Sequence, residues 1–337
     1  MGKKTGSVLL GLGAFLLVLG LLSKFYMYDK LAVVPLNQQT TSTSETAPGA
    51  DAEYLDVANG LKITNGPLRS VRITTGDVDL SKEVSDELDK NAAVWETYVC
   101  TAAPDFDCAS GETPLSATND TVAFERHSAE TLNWSGAFSD SNGESLDDPF
   151  EGLYFKFPFD TQKKEYPFWD GTLKKAMPAK FSKETKIDGL KVYEFIQTIE
   201  PTKTGTIDVP GNLVNRDEGK TYTADRIYSN TRTLYIEPVT GAIIRGGESQ
   251  DGYLELDGER GATTTKAELN YTDDYVQENV DDYKSKAALL SAVNSTVPLV
   301  GIGGGLLLIL LGALLVIRAG RKGTPDDSAP VGSRVSA

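Results

Sequence analysis

The chain has 337 residues, with 33 lysines and arginines against 48 aspartates and glutamates, a net charge of −15. Its two ends are net basic, so the acidic excess lies wholly between residues 31 and 286, and such a surface repels nucleic acid rather than gathering it. One histidine and two cysteines offer no metal-ligand set, and no P-loop, G-x-S-x-G, H-E-x-x-H or dinucleotide fingerprint occurs, so neither a cofactor nor catalysis is expected.

Residues 1–6 carry Lys3 and Lys4 and precede an apolar stretch over residues 7–27. It is longer than a signal core and lacks a small-x-small cleavage pattern, which predicts an uncleaved transmembrane helix with its basic N-terminus in the cytoplasm. Residues 28–50 include the polar run Asn37–Ala50 and are expected to form an exposed, mobile linker. Residues 51–270 are expected to form an extracytoplasmic β-rich domain, with a boundary between two subdomains near residues 150–185.

Within that domain the strand signals recur. Val94, Glu96, Tyr98 and Cys100 alternate with Trp95, Thr97 and Val99, and Leu153, Phe155, Phe157 and Phe159 fall on one side of a two-residue period. Thr233–Glu237, Pro238–Gly241 and Ala242–Arg245 read as strand, turn and strand, with Gly241 suited to positive φ. Cys100 and Cys108 flank a short loop and, outside the cytoplasm, are expected to pair as a disulfide. Residues 271–292 follow a near-helical period set by Tyr275, Val276, Val280 and Tyr283, with Thr272 as N-cap, and predict a juxtamembrane helix.

Residues 293–317 form a second apolar stretch, long enough at about 1.5 Å per residue to cross a bilayer. Arg318, Arg321 and Lys322 follow it, and residues 318–337 are expected to be a disordered cytoplasmic tail. The predicted architecture is therefore a mainly β (β-rich α+β) outer domain, its antiparallel sheets half-barrel-like, flanked by two transmembrane helices. It sits at the cell membrane as a two-pass protein with both termini inside. Gly301 and Gly305 have the spacing that lets two helices approach closely.

Few residues point to chemistry. His127 is expected to be an ordinary strand or loop histidine, and the many carboxylate pairs single out none. The loop Asp140–Asp148 offers oxygen ligands around a glycine but lacks EF-hand spacing, so a polar surface loop is the default over calcium. Phe155, Phe157, Phe159, Trp169, Tyr193 and Phe195 are the candidates for an apolar groove, against the competing reading of core packing.

The segments Gly152–Asp160, Tyr166–Asp170, Ile187–Phe195 and Thr233–Gly241, set between two spans, resemble the porin PorA family of actinobacterial membrane proteins. The resemblance covers nearly the whole chain and brings no catalytic residues. It implies a place in the cell envelope of Gram-positive actinobacteria, where some members are tied to lipoglycan maturation. The order of the segments from Gly189 to Arg245 is also similar to the half-barrel of lipoprotein carriers, whose concave apolar face cups acyl chains.

These features lead to the expectation of a non-enzymatic envelope protein whose outer domain handles a lipid or lipoglycan. Its partners would be membrane lipids, lipoglycan and envelope-biosynthesis proteins. A scaffold contacting other envelope proteins is the alternative. A pore ranks last, because the spans carry few polar residues apart from Ser7, Ser291, Asn294 and Ser295.

Overall fold

The computed structural model describes residues 2–57, 60–141, 144–145 and 150–321. It divides into two compact units, Ala32–Ala287 and the paired terminal segments Met1–Leu31 and Ala288–Ala337. The tail expected beyond Arg321 and most of the loop considered for calcium lie outside the described residues. The helices are α1 (Gly2–Leu22), α2 (Tyr28–Leu31), α3 (Val78–Leu88), α4 (Asp273–Ser291) and α5 (Val297–Arg321), with π turns at Ser23–Met27 and Ala292–Thr296.

In the terminal unit α1 and α5 pack antiparallel along a seam of glycines. A Cβ on Gly13 would lie 2.6 Å from the Gly305 carbonyl, one on Gly6 2.8 Å from that of Gly312, and one on Gly301 2.7 Å from that of Leu16. Backbone thus meets backbone, which is how helices associate where no hydrophobic effect drives them. Outside the seam, α1 and α5 expose Val8, Phe15, Leu299, Leu307 and Leu310. The two π turns also meet, with the Ser23 hydroxyl donating to the Val293 carbonyl at 2.8 Å. The helical segments Lys3–Leu31 and Asp273–Arg321 are each long and apolar enough to cross a membrane.

The other unit is built on one antiparallel sheet. Its strands are β1 (Gln39–Glu45), β2 (Ala52–Asp56), β3 (Lys62–Gly66), β4 (Arg69–Asp77), β5 (Ala92–Ala102), β6 (Ser116–Glu125), β7 (Phe138–Ser141), β8 (Glu144–Ser145), β9 (Tyr166–Asp170), β10 (Lys175–Ile187), β11 (Leu190–Pro210), β12 (Thr221–Ile236), β13 (Ile243–Leu256) and β14 (Glu259–Tyr271). The order across the sheet is β8-β7-β6-β5-β4-β1-β14-β13-β12-β11-β10-β9, with β2 on β14 and β3 on β2. No boundary falls near residues 150–185: one sheet contains both meanders, β4–β8 and β9–β14.

The strand that joins them is β1, paired with β4 from Gln39↔Thr75 to Glu45↔Arg69 and with β14 at Ser44 and Glu45. The expected mobile linker is therefore in part a central strand. Its threonines suit extended backbone, and its neighbours satisfy its main chain. With no apolar residue in Gln39–Glu45, it shows none of the hydrophobic pattern by which strands are recognised.

The sheet curls until its ends meet. Val122 of β6 and Trp169 of β9, near opposite ends of the strand order, share one core cluster with Phe150 and Tyr154. Between them the main chain bridges stepwise, Leu132 N to Ala123 O at 2.8 Å, Thr131 N to Gly152 O at 2.9 Å and Trp169 N to Leu153 O at 2.8 Å. The stretch read as a strand over Leu153–Phe159 is instead a strap. Gly152 and Asp160 have positive φ and Pro158 lacks a donor, so it pairs residue by residue with different partners. Phe157 N donates to Gly241 O at 2.9 Å, Phe159 N to His127 O at 3.2 Å and Thr161 N to Pro238 O at 2.7 Å.

Two helices cover the opposite face of the sheet. Val84 of α3 packs on Ala92, Val94 and Ala123, and α3 is capped by Asp77, which accepts from Leu80 N at 2.8 Å. Val276 and Val280 of α4 pack on Ile187, Leu190, Val192, Ala242 and Ile244, each worth roughly 1.5–3 kcal/mol of burial. The disulfide Cys100–Cys108 is formed, tying β5 to the loop that follows it at a Cα separation of 6.1 Å.

Gly241 has the expected positive φ, +73°, and a Cβ there would lie 2.1 Å from the Phe157 carbonyl. Gly241→Ala is expected to cost about 1–3 kcal/mol through backbone strain alone, and more through loss of the strap contact. A lowered melting temperature of the full chain in detergent checks this.

Candidate functional site: the polar inner face of the sheet

Opposed residues of antiparallel strands share a face, so the register lays out the inside of the curl in rows. One row runs Ser139, Asp120, Thr97, Thr74, Thr40, the next Thr118, Val99, Arg72, Ser42, and a third Ser116, Thr101, Ser70, Ser44. Hydroxyls dominate, and several bond each other. Thr74 and Thr97 are 3.3 Å apart through their Oγ1 atoms, Thr101 donates to Ser70 at 2.9 Å, and Ser139 donates to Asp120 at 2.6 Å. Tyr154, reaching in from the strap, donates to the second oxygen of Asp120.

The C-terminal meander adds charge. Gln197, Arg232 and Glu248 form one row across β11, β12 and β13. Arg232 Nε lies 2.7 Å from Glu248 and its Nη2 lies 3.2 Å from Asp170, while Nη1 donates to Gln197 Oε1 at 2.5 Å. Tyr228 donates to Asp170 at 3.2 Å, and Asn230 and Gln250 donate to Glu248 at 3.1 and 2.7 Å. Asp170 belongs to β9, so these bonds reach across the concavity as well as along the sheet.

Burial and pairing set the charges. Burial opposes ionisation of Glu248, but the Arg232 guanidinium, with Gln250 and Asn230, holds its carboxyl down to about 2. Burial likewise works against the charge on Arg232, and Glu248 and Asp170 overcome it, raising the group above its ordinary value. Burial raises the Asp120 carboxyl, opposed by its hydrogen bonds from Ser139 and Tyr154 and by the charge of Arg72.

The strap carries a cation of a different kind. Lys156 is buried, its Nζ lies 3.8 Å from the centre of the Phe159 ring, and among the described residues it makes no hydrogen bond. Burial lowers its pKa to about 7, against the pull of Glu125 and Glu237. Those two carboxylates each fold a turn: Glu125 accepts from His127 N at 2.9 Å, and Glu237 from Val239 N and Thr240 N at 3.0 and 2.7 Å. His127 is a turn residue, stacked on Phe159 at 5.7 Å and hydrogen-bonded through Nδ1 to Ala32 O at 2.7 Å.

The six residues read as a groove do not line one. Phe157 and Phe195 are fully enclosed, 4.7 Å apart ring to ring. Trp169 is buried against Phe150, and Phe159 is buried between His127 and Lys156. Half-buried Phe155 packs on Trp95 and Phe124, and half-buried Tyr193 on Phe181. They are core residues that glue the strap and the curl together. The rows of serine and threonine, with Arg72, Arg232 and Glu248, are what sequence reading passed over; their alternation, as in Thr40-x-Ser42-x-Ser44, was the available signal.

Two outcomes follow for the buried charges. Arg232→Met leaves Glu248 and Asp170 without their cation and is expected to destabilise the unit by about 3–5 kcal/mol. Lys156→Met should do the reverse at neutral pH. The unfolded lysine holds its proton up to about 10.5 and the folded one only to about 7, so its penalty is fully present below pH 7 and fades as pH rises through that window. The variant should therefore melt higher than the parent at pH 7, with the gap closing toward pH 10.

The profile of the Porin PorA family matches residues 5–314 of the chain. Among curated relatives, a Porin PorA of Corynebacterium amycolatum is 23% identical over 301 residues, covering 74% of this chain and 77% of the relative. A Porin PorA of Corynebacterium resistens is 22% identical over 415 aligned positions, covering 95% and 98%. These findings overturn the expectation of lipid or lipoglycan handling: the relatives are named as porins, and the half-barrel that was to cup acyl chains presents hydroxyls and ion pairs on its inner face. With two terminal helices able to span a bilayer, this is a membrane protein, and it belongs to the Porin PorA family.

Proposed function

We propose that the protein is a channel-forming membrane protein for small hydrophilic solutes, a transport rather than a catalytic protein, and that it works as an assembly of several copies. The observation that carries this reading is the inner face of the sheet, a surface of hydroxyls, amides and charges of both signs, in part buried and in part half-buried. A polar solute that sheds part of its hydration finds replacement hydrogen bonds along the serine and threonine rows, which an acyl chain cannot use. The names borne by the relatives support the same reading.

The membrane unit favours assembly over a monomeric pore. The seam between α1 and α5 is closed backbone to backbone and leaves no room for water. Their outward leucines and valines suit contact with lipid or with further copies. Lys3 and Lys4 before one span and Arg318 and Arg321 at the end of the other support cytoplasmic termini, with the acidic unit Ala32–Ala287 outside. Embedding that unit as a barrel is disfavoured, because an outer-membrane barrel needs a continuous apolar outer band, and here the opposite face is covered by α3 and α4.

The test is reconstitution of the purified full chain in planar lipid bilayers. Stepwise ionic conductance is expected, and Ser44→Trp, which places a bulky ring on the inner face beside Tyr271, is expected to reduce or block the steps without changing the circular dichroism spectrum. Bilayers that stay silent with folded, inserted protein would rule the reading out.

A further inference from the structure

The inner face contains a cation that the ion network leaves free. Arg232 is committed to Glu248 and Asp170. Arg72 of β4 faces the same concavity and forms no ion pair or hydrogen bond with any described residue. Its guanidinium carbon stands 5.8 Å from the centre of the Tyr154 ring. Asp120 feels the charge of Arg72 but forms no ion pair with it, and the two oxygens of that carboxylate are already taken by Ser139 and Tyr154.

Across the sheet Arg72 stands between Val99 of β5 and a row of hydroxyl donors. Ser42 lies directly opposite it on β1, and Ser70, two residues back on its own strand, lies opposite Ser44, which in turn is opposite Tyr271 of β14. Among the described residues the hydroxyls of Ser42, Ser44 and Tyr271 donate to no acceptor. Arg72, Ser42 and Ser44 are all half-buried, shielded enough to strengthen a charge-assisted bond and open enough for a solute to arrive. A planar guanidinium fork with adjacent hydroxyls matches two oxygens of one anionic group.

We propose that Arg72 and Ser42 form a subsite for a small oxyanion, the carboxylate, sulfate or phosphate group of a passing solute. It rests on the transport reading in that it names the class of solute the inner face holds. It also explains why an arginine stands among serines and threonines where a neutral residue would continue the row. Arg232, by contrast, is neutralised from two sides and offers no such site.

The experiment is isothermal titration of sulfate, and separately of acetate, into the full chain in detergent at low ionic strength, for the parent, Arg72→Gln and Ser42→Leu. The parent is expected to bind, Arg72→Gln to lose at least about tenfold in affinity, and Ser42→Leu, which keeps the charge and closes the space beside it, to weaken as well. Melting temperatures taken alongside separate lost binding from lost fold. Preference for sulfate over acetate assigns the site to tetrahedral oxyanions, and the reverse to carboxylates. No binding by the parent, or equal binding by folded Arg72→Gln, overturns the proposal. Because titration reads binding and not conductance, the subsite fails or stands independently of the channel.

Discussion

Closure of the curl is the constraint on which the rest of the outer unit depends. A sheet of this width has a long inner face and two free edges, and here the edges are joined through residues 124–132, 150–153 and 166–169 rather than by strand pairing along their length. Aromatic rings fill the space where the edges meet, Phe150 and the strap's Tyr154 with Trp169 of β9 on one side and the strap's Phe157 with Phe168 of β9 and Phe195 of β11 on the other. The strap also bonds the turn after β6 to the turn between β12 and β13. Without it the inner face would open to water and Asp170 would separate from Tyr228 and Arg232.

That closure explains the chemistry of the interior. An enclosed apolar face would pack shut, as the strap end does. The row from Ser139 to Thr74 is buried and its hydroxyls bond laterally, while the two rows beside it, from Thr118 to Ser42 and from Ser116 to Ser44, stay half-buried. Where longer side chains do enter, they come as a satisfied set: Arg232 meets two carboxylates and an amide, and each carboxylate meets further donors. Removing one member leaves a buried charge uncompensated, which makes the set a strong determinant of geometry though a weak source of net stability. Lys156 is the exception. It is held without a hydrogen bond over Phe159, between two carboxylates that are occupied in folding turns, and the fold tolerates it because its proton is easily lost.

Much of this was legible in the sequence, for identifiable reasons. The two spans, the β-rich class, the turn at Gly241 and the Cys100–Cys108 pair all rest on local signals, namely apolar length, period two, positive φ and loop size. β1 was missed because Gln-Thr-Thr-Ser-Thr-Ser-Glu has no apolar face to betray it; its strand character comes from the neighbours that hydrogen-bond it on both sides. The strap was misread because its aromatic residues alternate as a strand's do, yet Gly152, Pro158 and Asp160 break the backbone where a ladder would have to continue. The site was missed for a deeper reason. Ser-x-Arg-x-Thr on a strand reads as the solvent side of a half-buried sheet, and only the curl, closed by bridges among residues 123–132, 150–153 and 166–169, turns that side inward.

The same argument separates the two units by what their residues can do. Along α1 and α5 the glycines are spent on mutual contact and the outward residues are aliphatic, so the pair by itself offers no group that could replace the hydration of an ion or a sugar hydroxyl. The concave face of the sheet offers such groups in ordered rows, and the rows through Arg72–Ser42 and Ser70–Ser44 lie at the half-exposed depth where a hydrogen bond is stronger than in water and still reversible. On the channel reading, then, selectivity belongs to the β unit and retention at the membrane to the helices. On that reading, substitutions along the glycine seam should disturb the pairing of α1 with α5, while substitutions along the serine and threonine rows should alter which solutes pass.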